Sequence, residues 1–188
     1  MDKATLRQDA LAWLETLPPI AKAQIMADNL RQLNELPEWQ GAQKIGITYS
    51  MPNELPTQMI IEAALKQGKE VYLPKCLPQR RLVFLPYRTN DVLIKSAFGV
   101  YEPQGNQRGE DVKLDLLIVP GLRFAIDSGM RVGFGGGYYD RFLAQFTGNT
   151  VALSTAKLVV KQADWPVEIF DQAVDKILIG VEQNANNK

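Results

Sequence analysis

The residues Arg131-Val132-Gly133-Phe134-Gly135-Gly136-Gly137-Tyr138-Tyr139-Asp140 have the types and spacing that point most directly to chemistry. Glycine at alternate positions strips the backbone of side chains, so its N–H groups can approach an anion closely. Arg131 adds a cation at one end, and Asp140 adds a carboxylate suited to magnesium at the other. The stretch therefore reads as a phosphate cradle with a metal-binding acid beside it. The plainer alternative is a flexible glycine-rich turn, with Asp140 an acid favoured by the dipole of the helix it enters. Neither common nucleotide fingerprint fits. A P-loop carries Lys-Ser/Thr after its last glycine, where Tyr138-Tyr139 stands here, and a dinucleotide-binding turn has wider spacing directly after the first strand.

Other candidates are weaker alone. Lys3 and Arg7 lie four apart on one helix face near its N-terminus, where cations oppose the dipole; they read as an anion contact or as a solvated basic face. Glu54 falls in a loop after a strand, where ligand contacts gather, although most such carboxylates are simply exposed. Phe98 and Tyr101 flank Gly99 and have the flat faces to stack on a heterocycle, or to cover the core. Lys75, just past Pro74, is placed to reach a phosphate at a strand end.

Composition narrows the chemistry further. The chain has 188 residues, is 46% hydrophobic and 22% charged, and balances 21 basic against 21 acidic residues for a net charge of +0. That balance argues against a nucleic-acid backbone or an anionic membrane as the main partner. Histidine is absent, which removes Ser-His and Cys-His nucleophile pairs and the common histidine metal sites. A single cysteine, Cys76, cannot form an intrachain disulfide and fits a reducing compartment. Charged residues among the first nine positions leave no room for a signal-peptide core, and no apolar run approaches the roughly 20 residues of a spanning helix. The expected location is the cytoplasm.

The elements that must position these residues can be read from periodicity. Leu6, Ala10, Trp13, Leu14 and Leu17 follow one helical face; Pro18-Pro19 breaks it, and Ile20, Ala23, Met26, Ala27, Leu30 and Leu33 repeat the pattern. A strand over Lys44–Tyr49, a helix from an N-cap at Thr57 to Gln67, and a strand over Glu70–Leu73 stopped by Pro74 form a βαβ unit with parallel strands. Further strands are expected at Leu82–Leu85, Leu114–Val119, Val151–Leu153 and Lys176–Val181, with a helix over Tyr138–Phe146. Residues 102–111 read as a polar surface loop, and 182–188 as a frayed tail. The expected fold is a single-domain α/β three-layer sandwich over 1–188. It has a mostly parallel sheet flanked by helices and an N-terminal helical pair.

Taken in order, these segments resemble the 5-formyltetrahydrofolate cyclo-ligase (5,10-methenyltetrahydrofolate synthetase) family. Lys3-Ala4-Thr5-Leu6-Arg7 resembles its Lys-x-x-Leu-Arg element, Tyr49 to Glu54 its strand-loop-Glu segment, and Phe98 to Pro103 the segment ending in Glu-Pro. Leu116 to Gly121 with Phe124 resembles its Pro-Gly-Leu-x-Phe strand end. Arg131 to Asp140 matches Arg-x-Gly-x-Gly-x-Gly-Tyr-Tyr-Asp at every fixed position. The chain departs from the family at Ala125, around Thr155–Leu158, and at Phe170.

The resemblance implies ATP-dependent conversion of 5-formyltetrahydrofolate to 5,10-methenyltetrahydrofolate with release of ADP and phosphate. ATP is the co-substrate and Mg2+ the metal. By the same resemblance Lys3, Arg7, Arg131, Gly133, Phe134, Gly135, Gly136, Gly137, Tyr138 and Tyr139 contact ATP. Tyr49, Glu54, Phe98 and Tyr138 line the folate pocket; Arg131, Tyr138 and Asp140 serve catalysis; Asp140 and Asp171 bind metal. The expected partner is the small-molecule folate, with neither nucleic acid nor membrane, for a monomer. A non-catalytic folate- or nucleotide-binding module and a phosphosugar-binding α/β enzyme are the competing readings.

Overall fold

A computed structural model describes residues 1–96, 99–104 and 112–182. In chain order the elements begin with helices α1 (Lys3–Thr16), α2 (Pro19–Glu35) and α3 (Pro37–Gly41). Strand β1 (Lys44–Gly46), helix α4 (Gln58–Lys66), and strands β2 (Glu70–Leu77) and β3 (Arg81–Tyr87) follow. Next come β4 (Leu93–Lys95), β5 (Tyr101–Pro103), β6 (Leu116–Ile118), β7 (Arg123–Ala125) and β8 (Arg131–Val132). Helix α5 (Tyr138–Leu143) and strands β9 (Asn149–Thr155), β10 (Val159–Val160) and β11 (Lys176–Gly180) complete the order.

The main sheet runs β11-β9-β6-β1-β2-β3, parallel throughout except for β3, which returns antiparallel from β2. Its residues alternate between two apolar layers. Leu116 and Ile118 of β6 join Ile45, Val71 and Leu73 on the face covered by α2 and α4, through Met26, Leu33, Ile60 and Ile61. Leu117 and Tyr72 point the other way, into the layer holding Phe84, Phe124 and Leu143 of α5. This period of two on a sheet covered on both sides produces the expected three-layer α/β sandwich. Gly46 is required by the second layer: a Cβ there would stand 2.6 Å from Leu114 Cδ1.

The N-terminal helical pair is present, but α2 is rotated from the expected face. Ile20 is 67% exposed and Ala27 is exposed, whereas Ala21, Ile25, Met26, Asn29 and Leu33 are buried. The cause is a close approach to β11. A Cβ on Gly180 would lie 2.1 Å from the Ile25 carbonyl oxygen, and buried Asn29 donates to the Ser154 carbonyl at 2.9 Å. Apolar periodicity misses a face that carries a buried amide.

Other boundaries shift for identifiable reasons. Strand β2 does not stop at Pro74; it continues to Leu77. Ile47 donates to the Tyr72 carbonyl, so Tyr72 and, two residues on, Pro74 face the β1 edge, and β1 has ended before Pro74 needs a donor. Thr57 is not a side-chain N-cap. Its hydroxyl donates to the Thr48 carbonyl at 2.6 Å and accepts from Ser50 N–H at 3.0 Å, tying off the loop that carries Glu54. The expected strand over Lys44–Tyr49 is ladder-paired only to Gly46, with Tyr49 bridging to Tyr101. The expected helix over Tyr138–Phe146 ends at Leu143.

Glu102 and Pro103 are not surface loop but buried residues of β5, paired with β4; positions 105–111 lie outside the described residues, as do 183–188 of the expected tail. A small second sheet, β10-β7-β8, was not expected from its short strands. Helix α1 packs Leu6 against Ala125, Val132 and Trp165 of this region, and Ala10 and Leu14 against Leu122 and Leu158. That docking brings the N-terminal cations to the glycine run. Among the described residues no helix is long and apolar enough to cross a membrane.

Candidate active site at the glycine-rich loop

The glycine run leaves β8 and enters α5, with Gly135 and Gly137 at φ +93° and +69°, in the left-handed region that favours glycine. Arginine lies against the positions that lack a side chain. A Cβ on Gly133 would stand 3.3 Å from Arg131 Nη1, and one on Gly135 would stand 3.3 Å from Arg7 Cζ. Arg7 also donates from Nε to the Gly133 carbonyl at 2.7 Å. The missing side chains are therefore replaced by guanidinium groups delivered from β8 and α1.

Arg131 has a side chain only 2% exposed, and its Nη2 donates to Asp140 Oδ1 at 3.1 Å. Its Nε is buried and has no hydrogen-bond partner among the described residues. Burial pushes the guanidinium pKa down, and the neighbouring Asp140 charge opposes that shift. A buried cation with donors to spare is costly unless an anion reaches it. Asp140 Oδ1 accepts in addition from Gln172 N–H at 3.2 Å.

Lys3 and Asp171 meet across 168 positions of sequence. Lys3 Nζ donates to Asp171 Oδ2 at 2.6 Å and Oδ1 at 2.9 Å, and to Glu168 at 3.1 Å. Asp171 Oδ2 also accepts from Glu168 N–H at 2.8 Å. Burial lowers the Lys3 pKa, but the two acids outweigh it and hold the ammonium above its ordinary value. Both oxygens of Asp171 are thus engaged, whereas only Oδ1 of Asp140 has a partner among the described residues.

A cavity of about 320 Å3 opens beside the loop, lined by Phe134 to Asp140 on one side and by Tyr49, Met51 and Glu54 on the other. A second cavity of about 720 Å3 shares Tyr49, Met51 and Glu54 and extends past Tyr87 and Tyr101 toward Lys22. The Tyr49 ring sits edge-on to Tyr101, with centroids 5.8 Å apart, and to Tyr87 at 6.4 Å, giving the shared wall a flat aromatic lining. Glu54 folds back so that Oε2 accepts from Met51 N–H at 2.7 Å, and desolvation raises its pKa above the ordinary carboxylate value. Tyr138 lines the loop cavity, as does Tyr139, whose buried hydroxyl has a pKa raised by burial. Phe134 is 41% exposed at the rim.

The structure therefore brings together Arg7, Arg131, Gly133 to Asp140, Tyr49 and Glu54. Lys3 is held by Asp171 and Glu168, with the Asp171 charge acting on Arg131, and Phe98 lies outside the described residues. Glu102 was missed by sequence reasoning. It is buried on the loop cavity wall, and its Oε1 accepts from Cys76 N–H at 3.1 Å. The usable signal was the Glu-Pro pair ending a short apolar run. Burial, reinforced by the Glu102 charge, pushes the Cys76 thiol up to about 12, which rules it out as a ready nucleophile. An arginine-lined anion cradle beside an aromatic pocket with a buried carboxylate suits transfer of a phosphoryl group to a flat, N–H-rich substrate.

Comparison with known proteins agrees. The family model for the 5-formyltetrahydrofolate cyclo-ligase family matches residues 1–180. The 5-formyltetrahydrofolate cyclo-ligase of Mus musculus is 32% identical over 155 residues, covering 75% of each chain. That of Haemophilus influenzae is 31% identical over 148 residues, covering 76% of this chain and 79% of the relative. The solved structure of Aquifex aeolicus 5,10-methenyltetrahydrofolate synthetase superposes with a TM-score of 0.78 at 27% identity, covering 100% of this chain and 95% of that one. The chain belongs to the 5-formyltetrahydrofolate cyclo-ligase family.

Proposed function

We propose that the chain converts 5-formyltetrahydrofolate to 5,10-methenyltetrahydrofolate, with ATP becoming ADP and phosphate. The reading rests on one juxtaposition: the glycine loop with its arginines opens into the same cavity as Tyr49 and Glu54. The formyl oxygen belongs to an amide and leaves poorly. It attacks the terminal phosphorus of ATP, and ADP departs with the electron pair of the broken P–O bond. Nitrogen 10 of the folate then adds to the activated formyl carbon. Phosphate leaves with the C–O pair, and the proton from nitrogen 10 passes to solvent. Positioning and charge stabilisation carry most of such a reaction, so it needs no histidine.

In this scheme Arg7, Arg131 and the backbone of Gly133 to Gly137 hold the phosphates, with Phe134, Tyr138 and Tyr139 as flanking contacts. The buried, under-bonded guanidinium of Arg131 is the group that gains most from an arriving phosphate. Glu54, which lines both cavities, accepts hydrogen bonds from the N–H edge of the pterin. Tyr49 and Tyr138 wall the folate, and Phe98 is assigned to cover it.

The carboxylates of Asp140 and Asp171 fit magnesium, which is commonly held by one or two carboxylates and completed by substrate phosphates. Asp140 is the first ligand we assign. Asp171 is the second, once Lys3 exchanges its carboxylate for a phosphate oxygen. Bound there, magnesium would neutralise charge on the phosphates. We place the enzyme in the cytoplasm, as a monomer without nucleic-acid or membrane partners.

The test is turnover of 5-formyltetrahydrofolate with ATP and magnesium, followed by the near-ultraviolet absorbance of the methenyl product. Product that appears only when all components are present supports the reading. Folded protein that binds both ligands without turnover would favour a non-catalytic module.

A further inference from the structure

We infer that Arg80, at the tip of the β2–β3 hairpin, is a third arginine of the phosphate site. The inference rests on the reading that the glycine loop binds ATP. The alternate glycines of the loop show a regular pattern. Gly133 faces Arg131, Gly135 faces Arg7, and a Cβ on Gly137 would lie 3.6 Å from Arg80 Nη1. Three guanidinium groups from three separate parts of the chain thus line one backbone segment. Two of them already belong to the proposed site, and Arg80 completes the row at the end where the loop enters α5.

The hairpin is built in a way that its own stability does not explain. Leu77 pairs with Arg81, and Arg81 N–H bonds back to the Pro78 carbonyl, leaving Gln79 and Arg80 as the central residues of the turn. Both are left-handed, with φ of +61° and +58°. Turns of this kind favour Asn-Gly, because side chains with a Cβ are disfavoured there. Two long side chains at such positions form a strained element of the sort that persists where something else depends on it.

The strain has a geometric result, since it turns the Arg80 guanidinium onto Gly137. The hairpin is also fixed relative to the loop. Phe84 of β3 packs on Phe142 of α5 with ring centroids 5.0 Å apart, while Cys76 and Leu82, paired next to the turn, line the same cavity as Phe134 to Asp140. The Arg80 side chain is exposed, so it is accessible to a ligand arriving from solvent.

The decisive variant is Arg80→Gly, because a structural role and a phosphate-binding role move it in opposite directions. Glycine relieves the left-handed strain, so the thermal midpoint is expected to rise or hold. Loss of a guanidinium–phosphate contact is expected to weaken ATP binding by about tenfold or more, with folate binding unchanged. Calorimetry with ATP, with inorganic tripolyphosphate and with 5-formyltetrahydrofolate on wild type, Arg80→Gly and Arg7→Ala provides the readout. Weakened ATP and tripolyphosphate binding by a well-folded Arg80→Gly supports the assignment. Wild-type affinity for tripolyphosphate in Arg80→Gly overturns it, even if ATP is weakened, since the contact would then be to base or ribose. If Arg7→Ala loses affinity and Arg80→Gly does not, the nucleotide reading survives and this inference fails. If wild type binds neither ATP nor tripolyphosphate, the nucleotide reading fails and this inference falls with it.

Discussion

Arg7 Nε donates to the Gly133 carbonyl oxygen at 2.7 Å, across 126 positions of sequence. One hydrogen bond thereby joins the first helix to the glycine loop. It uses only one donor of the guanidinium, whose Cζ lies against Gly135. Helix α1 can hold it there because Leu6, the preceding residue, is locked against Ala125, Val132 and Trp165. Packing of an apolar neighbour thus aims a cation.

Replacing Arg7 with Ala should therefore damage binding more than folding. Removing a charge-assisted phosphate contact is expected to weaken ATP by about ten- to a hundredfold. The thermal midpoint should change little, because Leu6 and the rest of the buried face of α1 remain. Calorimetry alongside thermal unfolding checks both halves.

Asp140→Ala should differ by affecting both. It removes the carboxylate beside buried Arg131, which is expected to cost about 1–3 kcal/mol of stability. It also removes the assigned magnesium ligand. Asp140→Asn keeps an acceptor for Arg131, so it should recover much of the stability without recovering magnesium-dependent turnover. Denaturant unfolding and a magnesium titration of the rate separate the two effects.

Glu54 gives a pH signature. Burial raises its folded-state pKa above the unfolded value of about 4.5, so between the two values the folded protein holds a proton that the unfolded chain has lost. The stability contributed by its neutral form is present below that window and declines as pH rises through it. Glu54→Gln, which stays neutral, should flatten this part of the stability–pH curve of the ligand-free protein while reducing turnover through weaker pterin binding. A Gln variant with the wild-type slope would remove Glu54 as its source.

Much of this site was legible in the sequence because its signals are local. The run from Arg131 to Asp140 is contiguous, and its glycines identify a backbone that must stay open. The βαβ unit and the helical pair follow from short-range periodicity. What could not be read depends on distant partners. The pairing of Lys3 with Asp171 spans 168 positions, and nothing near either residue announces it. Glu102 looked like the start of a polar loop because the charged residues after it masked a buried strand. Asn29 is buried because its amide satisfies the Ser154 carbonyl, a reason invisible to hydrophobic patterning. Arg80 sits in a turn whose residues are the wrong types for their backbone angles, so only coordinates reveal what it faces.

In the proposed mechanism ATP activates the folate by phosphorylating its formyl oxygen at the glycine loop. The most direct test places isotopically heavy oxygen in the formyl group of 5-formyltetrahydrofolate and follows a single round of turnover by mass spectrometry. The mechanism predicts that the label leaves in inorganic phosphate, one heavy atom per methenyl product formed. Label recovered in water or formate, with unlabelled phosphate, would contradict it.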